Sequence, residues 1–344
     1  MIYFLWFILL LALQTPHMAS GQSALNALAT EINGPTDIAS DGSTNLFIVE
    51  QVGRHLSRLD LQQGTIHRLS LGKGDSYAHA IAADKAGGLY IAEFDGGLQH
   101  LNLRSGARDI IIKGVSGSLR EFDSIAVDSS GILYLSQSHD HRVLAWNPST
   151  RAFSVVAGTG KKGFAGDGGP ADKSMLSFPE GLALTLEGDL LVADYGNCRI
   201  RKVDLRSHVI TTVAGTGTNP AADECGFSGD GGPALQAQLR PNKIAVDPNG
   251  AVLIVGSGNR VRRIDPITGV ISTLAGTGEN KSAGDGGPAL KASLAGAAGV
   301  AVDSKGNIYI SEYTGNRIRK IDAVSGIITT VAGNGKPLRA DAIL

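Results

Sequence analysis

Residues 299–322 read GVAVDSKGNIYISEYTGNRIRKID, and residues 181–204 repeat the same order as GLALTLEGDLLVADYGNCRIRKVD. In both stretches an apolar run leads into a turn, a second strand-like run follows, and a basic run closes the unit. The second runs, LLVAD and IYISE, have the alternation of β-strands, and no stretch of the sequence sustains the 3.6-residue period of a helix. The repeated unit is therefore built from β-strands.

The first strand of this unit recurs six times, as IASD, IAAD, IAVD, LALT, IAVD and VAVD. The first three copies start about 43 to 44 residues apart, and the later ones about 56 to 62. A period near 40 residues with four short strands per unit is typical of propeller blades. We therefore predict an all-β fold, a six-bladed β-propeller of four-stranded antiparallel blades, at residues 34–74, 77–114, 121–160, 178–217, 240–278 and 296–335.

The sequence GDGGPA occurs three times, at residues 166–171, 229–234 and 284–289, and accounts for the longer spacing of the later units. A phosphate-binding loop would need a following lysine, whereas each copy carries an aspartate that repels anions. We therefore interpret the loop as structural. Its glycines supply positive φ, its aspartate accepts a hydrogen bond from a nearby backbone N–H, and its proline begins a helical turn. Calcium binding by these residues is the alternative: Asp167, Asp230 and Asp285.

A second repeated feature is an acid at the end of the second strand, as in Asp194 and Glu312. Arg199 and Arg317 follow these acids by five positions, on the facing strand of the hairpin. We expect each acid to form a salt bridge with this arginine and so to fix the turn.

The repeated unit resembles the NHL repeat, and its GDGGPA-bearing form is similar to secreted bacterial NHL-repeat proteins. The resemblance covers residues 34–335 and is strongest in the last three units. It implies a propeller. It says little about function, because NHL propellers include protein-binding and RNA-binding modules, sensor domains and a few lyases.

The charge balance disfavours nucleic acid as a partner. The 344 residues contain 31 basic and 32 acidic side chains, which leaves a net charge of −1. Such a chain has no overall field that would attract RNA or an anionic membrane surface.

Residues 1–21 read as a signal peptide, with an apolar run at 2–13 that is too short to span a bilayer comfortably. Ala19 and Gly21 occupy the −3 and −1 positions of a cut before Gln22. Because the segment before the apolar run lacks lysine and arginine, an uncleaved anchor is the alternative. Residues 22–344 would form the exported propeller, without a membrane span, in a secreted, periplasmic or cell-envelope location.

The two cysteines are expected to form a disulfide in an oxidising compartment. In a four-stranded blade, the turn between strands two and three lies at the same end as the connection to the next blade. Cys198 is in such a turn and Cys225 is in such a connection. Two unpaired thiols are the alternative, because sequence does not show the geometry that a disulfide requires.

The innermost strand of each blade starts at this same end, and the residue two before its first apolar position should face the channel mouth. This rule selects Thr36, His79, Asp123, Glu180, Asn242 and Ala298. Six-bladed lactonases of the gluconolactonase type and NHL-type amidating lyases use such residues, so the resemblance implies a metal site for calcium or zinc. Its ligands would be His79, Asp123, Glu180 and Asn242. A polar funnel filled with water is the alternative.

The function we expect is a rigid platform that binds a protein or glycan through its blade-top loops, which are the turns and connections at the mouth end. We expect a monomer. No Gly-x-Ser-x-Gly motif supports nucleophilic catalysis. A metal-dependent lactonase or lyase, and a non-catalytic structural module of the cell envelope, are the alternatives. The candidate blade-top contacts are Phe164, Asp167, Tyr195, Phe227, Asp230, Asp285 and Tyr313.

Overall fold

A computed structural model describes residues 25–71, 77–84, 86–113, 121–217, 225–256 and 258–336. The predicted signal peptide lies outside these residues. Among the helices of the described part, none has the length and apolar character needed to cross a membrane.

The structure confirms the all-β, six-bladed propeller that the repeat spacing predicts. Each blade is an antiparallel sheet whose four main strands pair in chain order, and two further two-residue strands, β1 and β22, lie at outer edges. Four short 3-10 turns complete the described elements, at Ala171–Lys173, Tyr195–Asn197, Ala234–Gln236 and Ala289–Lys291. After β1, Leu25–Asn26, the strands of blade one are β2 Pro35–Ser40, β3 Asn45–Glu50, β4 His55–Asp60 and β5 Thr65–Leu69, and those of blade two are β6 Ala78–Ala83, β7 Gly88–Glu93, β8 Leu98–Asn102 and β9 Arg108–Ile112. Blade three contains β10 Ser124–Val127, β11 Leu133–Gln137, β12 Arg142–Asn147 and β13 Ala152–Ala157, and blade four contains β14 Pro179–Leu184, β15 Leu190–Asp194, β16 Arg199–Val203 and β17 Ile210–Ala214. Blade five contains β18 Pro241–Val246, β19 Val252–Gly256, β20 Val261–Ile264 and β21 Ile271–Ala275, and blade six contains β22 Gly287–Pro288, β23 Ala297–Val302, β24 Ile308–Glu312, β25 Arg317–Ile321 and β26 Ile327–Ala332.

The apolar core lies between the blades. Six clusters of buried side chains each join two neighbouring blades, and the cluster between blades four and five, for example, contains Leu191, Ile200 and Ile254. Since each strand alternates its side chains between two faces, both faces of a blade contribute to such layers. The repeated apolar pattern therefore produces a ring in which every blade is held by two neighbours.

Each GDGGPA loop packs on the blade that follows it and is fixed by a buried arginine. In blade four, Arg201 donates from Nη2 to Oδ1 of Asp167 at 2.6 Å, and Thr212 donates its hydroxyl to Oδ2 at 2.6 Å. Asp230 and Asp285 form the same ion pair with the third-strand arginines of blades five and six. The main partner of the aspartate is thus an arginine rather than the backbone N–H that the sequence suggested.

The same loop also covers the outer edge of its blade. Gly168 donates its N–H to the carbonyl of Ile210 at 2.8 Å, and Ala171 donates to the carbonyl of His208 at 2.8 Å. Pro170 directly precedes the 3-10 turn at Ala171–Lys173, as expected for a proline that starts a helical turn. The repeated loop is therefore a structural edge cover, with the outer strand hidden behind it.

The predicted salt bridges of the second-strand acids are wrong, because each acid pairs with the arginine two residues beyond the predicted one. Asp194 lies beside Arg199 in the strand register, but its ion pair is with Arg201, at 3.3 Å. Glu312 likewise pairs with Arg319 at 3.0 Å. The guanidinium of Arg199 instead lies 3.8 Å from the ring centroid of Phe164 and donates to a loop carbonyl. The buried arginine thus joins the hairpin acid and the loop aspartate in one network.

The ring is closed by the first described residues. β1 pairs with β5 of blade one, and Ala27 donates its N–H to the carbonyl of Gly64. Gly333 of blade six in turn donates its N–H to the carbonyl of Ala27 at 2.9 Å. Ala171 makes the equivalent two bonds at the junction of blades three and four. Blade six supplies its own outer strand, and the chain start joins it to blade one as a GDGGPA loop would.

The predicted disulfide is confirmed. Cys198 and Cys225 are bonded, with their Cα atoms 5.3 Å apart, and both are buried. Cys198 occupies the left-handed position that ends the hairpin turn, with φ of 55°. The bond ties the hairpin of blade four to the connection that leads to blade five.

Blade one carries a buried acid that has Ser57, rather than an arginine, as its third-strand partner, and this makes stability depend on pH. Glu50 is 1% exposed and accepts hydrogen bonds from the Ser57 hydroxyl and the Asn33 N–H. Burial raises the pKa of the Glu50 carboxyl above its ordinary value of 4.5. Since the folded state holds this proton more tightly than the unfolded state, ionisation costs stability as pH rises through the folded-state pKa.

We therefore expect Glu50→Gln to become more stable than the wild type as pH rises, because a glutamine amide accepts from the Asn33 N–H and donates to the Ser57 hydroxyl without ionising. Urea unfolding of both proteins across a pH series measures the difference. Asp172→Asn, at an exposed aspartate of the connection before blade four, is the control and should change little. A difference between Glu50→Gln and wild type that is the same at every pH would contradict this account of Glu50.

Candidate functional site

The mouth of the channel is a funnel of about 540 Å³ on the axis of the ring. The structure places all six residues selected by the inner-strand rule around it, each at or beside the start of its blade's first strand. A bend in the inner strand explains this arrangement in part, since in five of the six blades the register shifts just after the strand starts. Other side chains that line the funnel are Asp37, Gln51, Lys243, Tyr195, Arg240 and Tyr313.

Glu180 and Asn242 form the first polar pair of the funnel. The Asn242 amide of blade five donates a hydrogen bond to Oε2 of Glu180 in blade four. Burial raises the pKa of the Glu180 carboxyl to about 7, and the nearby negative charge of Asp123 adds to this effect. Glu180 is therefore a mixture of acid and carboxylate near neutral pH, and it can donate or accept a hydrogen bond.

Lys243 crosses the channel and joins three blades. It comes from β18 of blade five, and its Nζ donates to the backbone carbonyl of Asp123 in blade three at 2.6 Å. The same Nζ lies 3.4 Å from Oδ1 of Asp37 in blade one, and both side chains are largely buried. A buried lysine needs such partners to remain charged. The funnel therefore has a cationic group among its carboxylates.

His79 and Asp123 form a second polar pair. Nε2 of His79 lies 3.7 Å from Oδ1 of Asp123, and the Ser138 N–H donates to Oδ2 at 2.8 Å. Burial alone would raise the pKa of Asp123, but the nearby His79 imidazole and the hydrogen bond from Ser138 outweigh it and lower that pKa. Two carboxyls of one funnel, Asp123 and Glu180, thus have pKa values moved in opposite directions.

The residues that could hold a metal ion are only partly those that the sequence suggested. Ligand atoms of His79, Glu121 and Asp123 lie within 4.8 Å of one another, the one such group of histidine, cysteine and carboxylate ligands among the described residues. Glu180, a suggested ligand, is outside that group, and Oε2 of Glu180 is engaged by Asn242. One imidazole with two carboxylates suits zinc better than calcium, which prefers six to eight oxygen ligands.

The candidate blade-top contacts separate into three groups. Tyr195 and Tyr313 line the funnel, and the Arg240 guanidinium lies 5.3 Å from the Tyr195 ring centroid. Phe164 and Phe227 are instead stacked beside arginines and are 43% and 38% exposed. The remaining three are bound within the chain by the arginine network: Asp167, Asp230 and Asp285.

Sequence reasoning missed Lys243, Arg240 and Glu121. Arg240 lies two residues before the selected residue Asn242, and Lys243 lies one residue after it. Their position at the strand start was the signal that could have identified them. Glu121 stands two residues before Asp123 in the same way. The selection rule took one residue per blade, whereas in blades one, five and six two or three residues at the strand start line the funnel.

The fold and the funnel define a six-bladed β-propeller with a polar, mixed-charge channel mouth. The sequence model of the Teneurin NHL domain matches residues 275–342, and that of the NHL repeat matches residues 176–203. The chain therefore carries NHL-type repeats on a six-bladed β-propeller.

The curated relatives are much longer than this chain. Teneurin-1 of Homo sapiens is 27% identical over 292 residues, which cover 74% of this chain and 10% of teneurin-1. Protein SUPPRESSOR OF QUENCHING 1, chloroplastic, of Arabidopsis thaliana is 42% identical over 77 residues, which cover 22% of this chain and 7% of that protein. The chain therefore spans a tenth or less of the length of these two relatives.

Solved structures share the fold at low sequence identity. A protein of unknown function from Bacteroides thetaiotaomicron has a TM-score of 0.69 at 17% identity, covering 87% of this chain and 72% of that one. An auxiliary nutrient binding protein from the same organism has a TM-score of 0.64 at 14% identity, covering 87% and 70%. A gluconolactonase from Xanthomonas campestris has a TM-score of 0.58 at 14% identity, covering 88% of each chain. At these identities the likeness concerns the fold alone.

Proposed function

We propose that the chain is a rigid platform that binds a protein or glycan at the mouth of its channel. The observation that supports this most is the convergence of polar side chains from five blades on one funnel. Those side chains offer a carboxyl, an amide, an imidazole and an ammonium group. A concave site of about 540 Å³ with few, well-held polar groups has the size and character of ligand pockets.

The funnel replaces the GDGGPA loops as the proposed centre of binding. The loop aspartates already have arginine and threonine partners within the chain, so they have little left to offer a ligand. Tyr195 and Tyr313 at the funnel present rings that suit a sugar ring or an apolar side chain. A sugar residue or a projecting peptide loop would enter the funnel, and the blade-top surface would contact the rest of the ligand.

The likeness to a nutrient binding protein is compatible with this proposal, and the disulfide is compatible with a secreted or cell-envelope location. Our proposal includes a signal peptide at residues 1–21 and export of the chain.

A screen of immobilised glycans and peptides with the purified protein would identify the ligand. Glu180→Gln and Asn242→Leu are then expected to weaken its binding by about tenfold to a hundredfold each, since a hydrogen bond to a charged group contributes roughly 1.5–3 kcal/mol. Lys320→Met, which removes a positive charge from blade six outside the funnel, should leave the affinity unchanged. If all three variants bind as tightly as the wild type, the ligand is not held in the funnel.

A metal-dependent lactonase or lyase is the second candidate, and the cluster of His79, Glu121 and Asp123 favours it. These residues would hold an ion that polarises a substrate carbonyl. Glu180, which lies outside this cluster and has a pKa of about 7, would be the funnel group that exchanges a proton near neutral pH. Elemental analysis tests it: near-stoichiometric zinc or calcium that disappears in His79→Ala would favour the enzyme. A folded protein without metal would count against it and leave the binding platform or a purely structural envelope module.

A further inference from the structure

Four of the six blades have their outermost strand covered by an extended segment of the same chain. β1 pairs with β5 in blade one, and β22 pairs with β26 in blade six. In blades four and five, single bridges join Pro170 to Val209 and Pro233 to Val270. In four blades, therefore, the outer edge pairs with a short extended segment.

Blades two and three have no such cover among the described residues, in which neither a further strand nor a single bridge pairs with β9 or β13. The connections explain this difference. Residues 158–178 join β13 to β14 and include a GDGGPA loop, which makes 21 residues available to reach the outer edge and return. Only the eight residues 70–77 join β5 to β6, and the eleven residues 113–123 join β9 to β10. The connection that covers blade four is thus about twice as long as the longer of these two.

The two uncovered edges differ in charge. β9 begins with Arg108 and Asp109, and Asp109 pairs with Arg151 at 3.3 Å. Charged side chains on an edge strand are a common protection against pairing with another chain. β13 has the sequence AFSVVA without a charge, and its first four residues are exposed. Phe153 and Val155 on one face of the strand are 40% and 44% exposed. β13 is therefore an open, apolar edge without protection.

We propose that β13 is the interface of a homodimer, in which the two copies pair antiparallel about a two-fold axis at Ser154. Such an axis places Ser154 opposite Ser154 of the partner subunit, and Phe153 opposite Val155 of the partner subunit. Cross-strand pairs of an aromatic and a β-branched side chain stabilise a sheet, and an uncharged strand does not repel its own copy. A second copy is the occupant that this edge fits best, because a two-fold axis makes the strand complementary to itself and ends the assembly at two chains.

The dimer differs from the monomer that the closed ring alone suggests, and it does not depend on the proposed ligand. A single pair of strands is a small contact, below the size of standard stable interfaces, so the association is concentration-dependent. The dimer carries two funnels, one on each copy of the chain. A multivalent ligand could bind both mouths and gain avidity, provided that it spans the distance between them.

Sedimentation velocity over a range of protein concentrations tests the dimer. The wild type is expected to move from the monomer mass towards twice that mass as concentration rises. Ser154→Lys and Ser154→Glu should each remain monomeric, because the axis brings two like charges face to face. An equimolar mixture of these two variants should recover the dimer, since lysine then faces glutamate.

Thr211→Lys is the matched control, because Thr211 occupies the corresponding place on β17, whose edge is already covered by residues 168–171. It should leave the association unchanged, and far-UV circular dichroism would check that every variant is folded. A wild type that stays monomeric at all concentrations would overturn the proposal. A dimer that persists in both Ser154 variants, or one that the mixture fails to recover, would also overturn it.

Discussion

Arg201→Met is expected to destabilise the propeller by about 3–5 kcal/mol, the cost of removing one partner from a buried ion pair. Arg201 is fully buried and pairs with both Asp194 and Asp167. Without it, the buried Asp194 carboxylate has no cation, and the loop that covers blade four loses its main contact. Urea unfolding followed by circular dichroism measures the change in the free energy of unfolding.

The cost of Arg201→Met should depend on pH. Burial raises the pKa of Asp194 to about 6 even with the arginine beside it, and removing the cation raises that pKa further. Below the unfolded value of 3.8 the carboxyl is protonated in both states. As pH rises, the unfolded chain ionises first, so the variant loses stability until the folded-state pKa is passed. The variant should therefore be less destabilised at pH 5 than at pH 8.

Arg199→Met is the matched control, two residues away on the same strand. The Arg199 guanidinium is partly exposed, lies over Phe164 and donates to backbone carbonyls. Its loss is expected to cost about 1 kcal/mol or less, as for other exposed contacts of charged side chains. If Arg199→Met proves as damaging as Arg201→Met, the network is wrongly assigned.

Loss of the disulfide has the second largest expected effect. The double variant Cys198→Ser, Cys225→Ser should lose about 3–4 kcal/mol, because the bond closes a loop of 27 residues and restricts the unfolded chain. Reductant should lower the urea midpoint of the wild type towards that of the double variant and leave the variant itself unchanged. A wild-type midpoint that does not respond to full reduction would contradict a stabilising role for this bond.

The fold was predictable because a blade is a local unit. Its strands, turns and apolar alternation are repeated six times, and a repeat of about 40 residues leaves few architectures besides a propeller. The position of the inner-strand residues follows from the same logic, since each blade enters the ring in the same orientation. Residues such as Glu180 and Asn242 could therefore be selected without coordinates.

The partners of the buried charges were less accessible, because they depend on how distant segments meet. Asp167 and Arg201 are 34 residues apart, and the choice of Arg201 over Arg199 depends on which side chain lies beneath the loop. A signal was nevertheless present. The three blades with a GDGGPA loop carry a third-strand arginine at this place, while blades one and two have Ser57 and Gln99 there. The pairing of a loop type with an arginine could have identified the network.

Lys243 shows the limit of strand-by-strand reasoning at the funnel. It lies at a strand start, yet its contacts are with blades one and three, 206 and 120 residues earlier in the chain. Only the diameter of the closed ring decides whether a lysine can reach across it. The sequence therefore predicts which residues surround the mouth, whereas the structure is needed to show which of them meet.

Hydrogen–deuterium exchange of the protein with and without its ligand tests the central claim most directly. Binding at the channel mouth predicts slower exchange at the starts of the inner strands, around His79, Glu180 and Asn242, with the GDGGPA loops unchanged. Slower exchange confined to residues 163–173, 226–236 and 281–291, with the strand starts unaffected, would place the ligand on the outer loops and contradict the assignment of the funnel as the binding site.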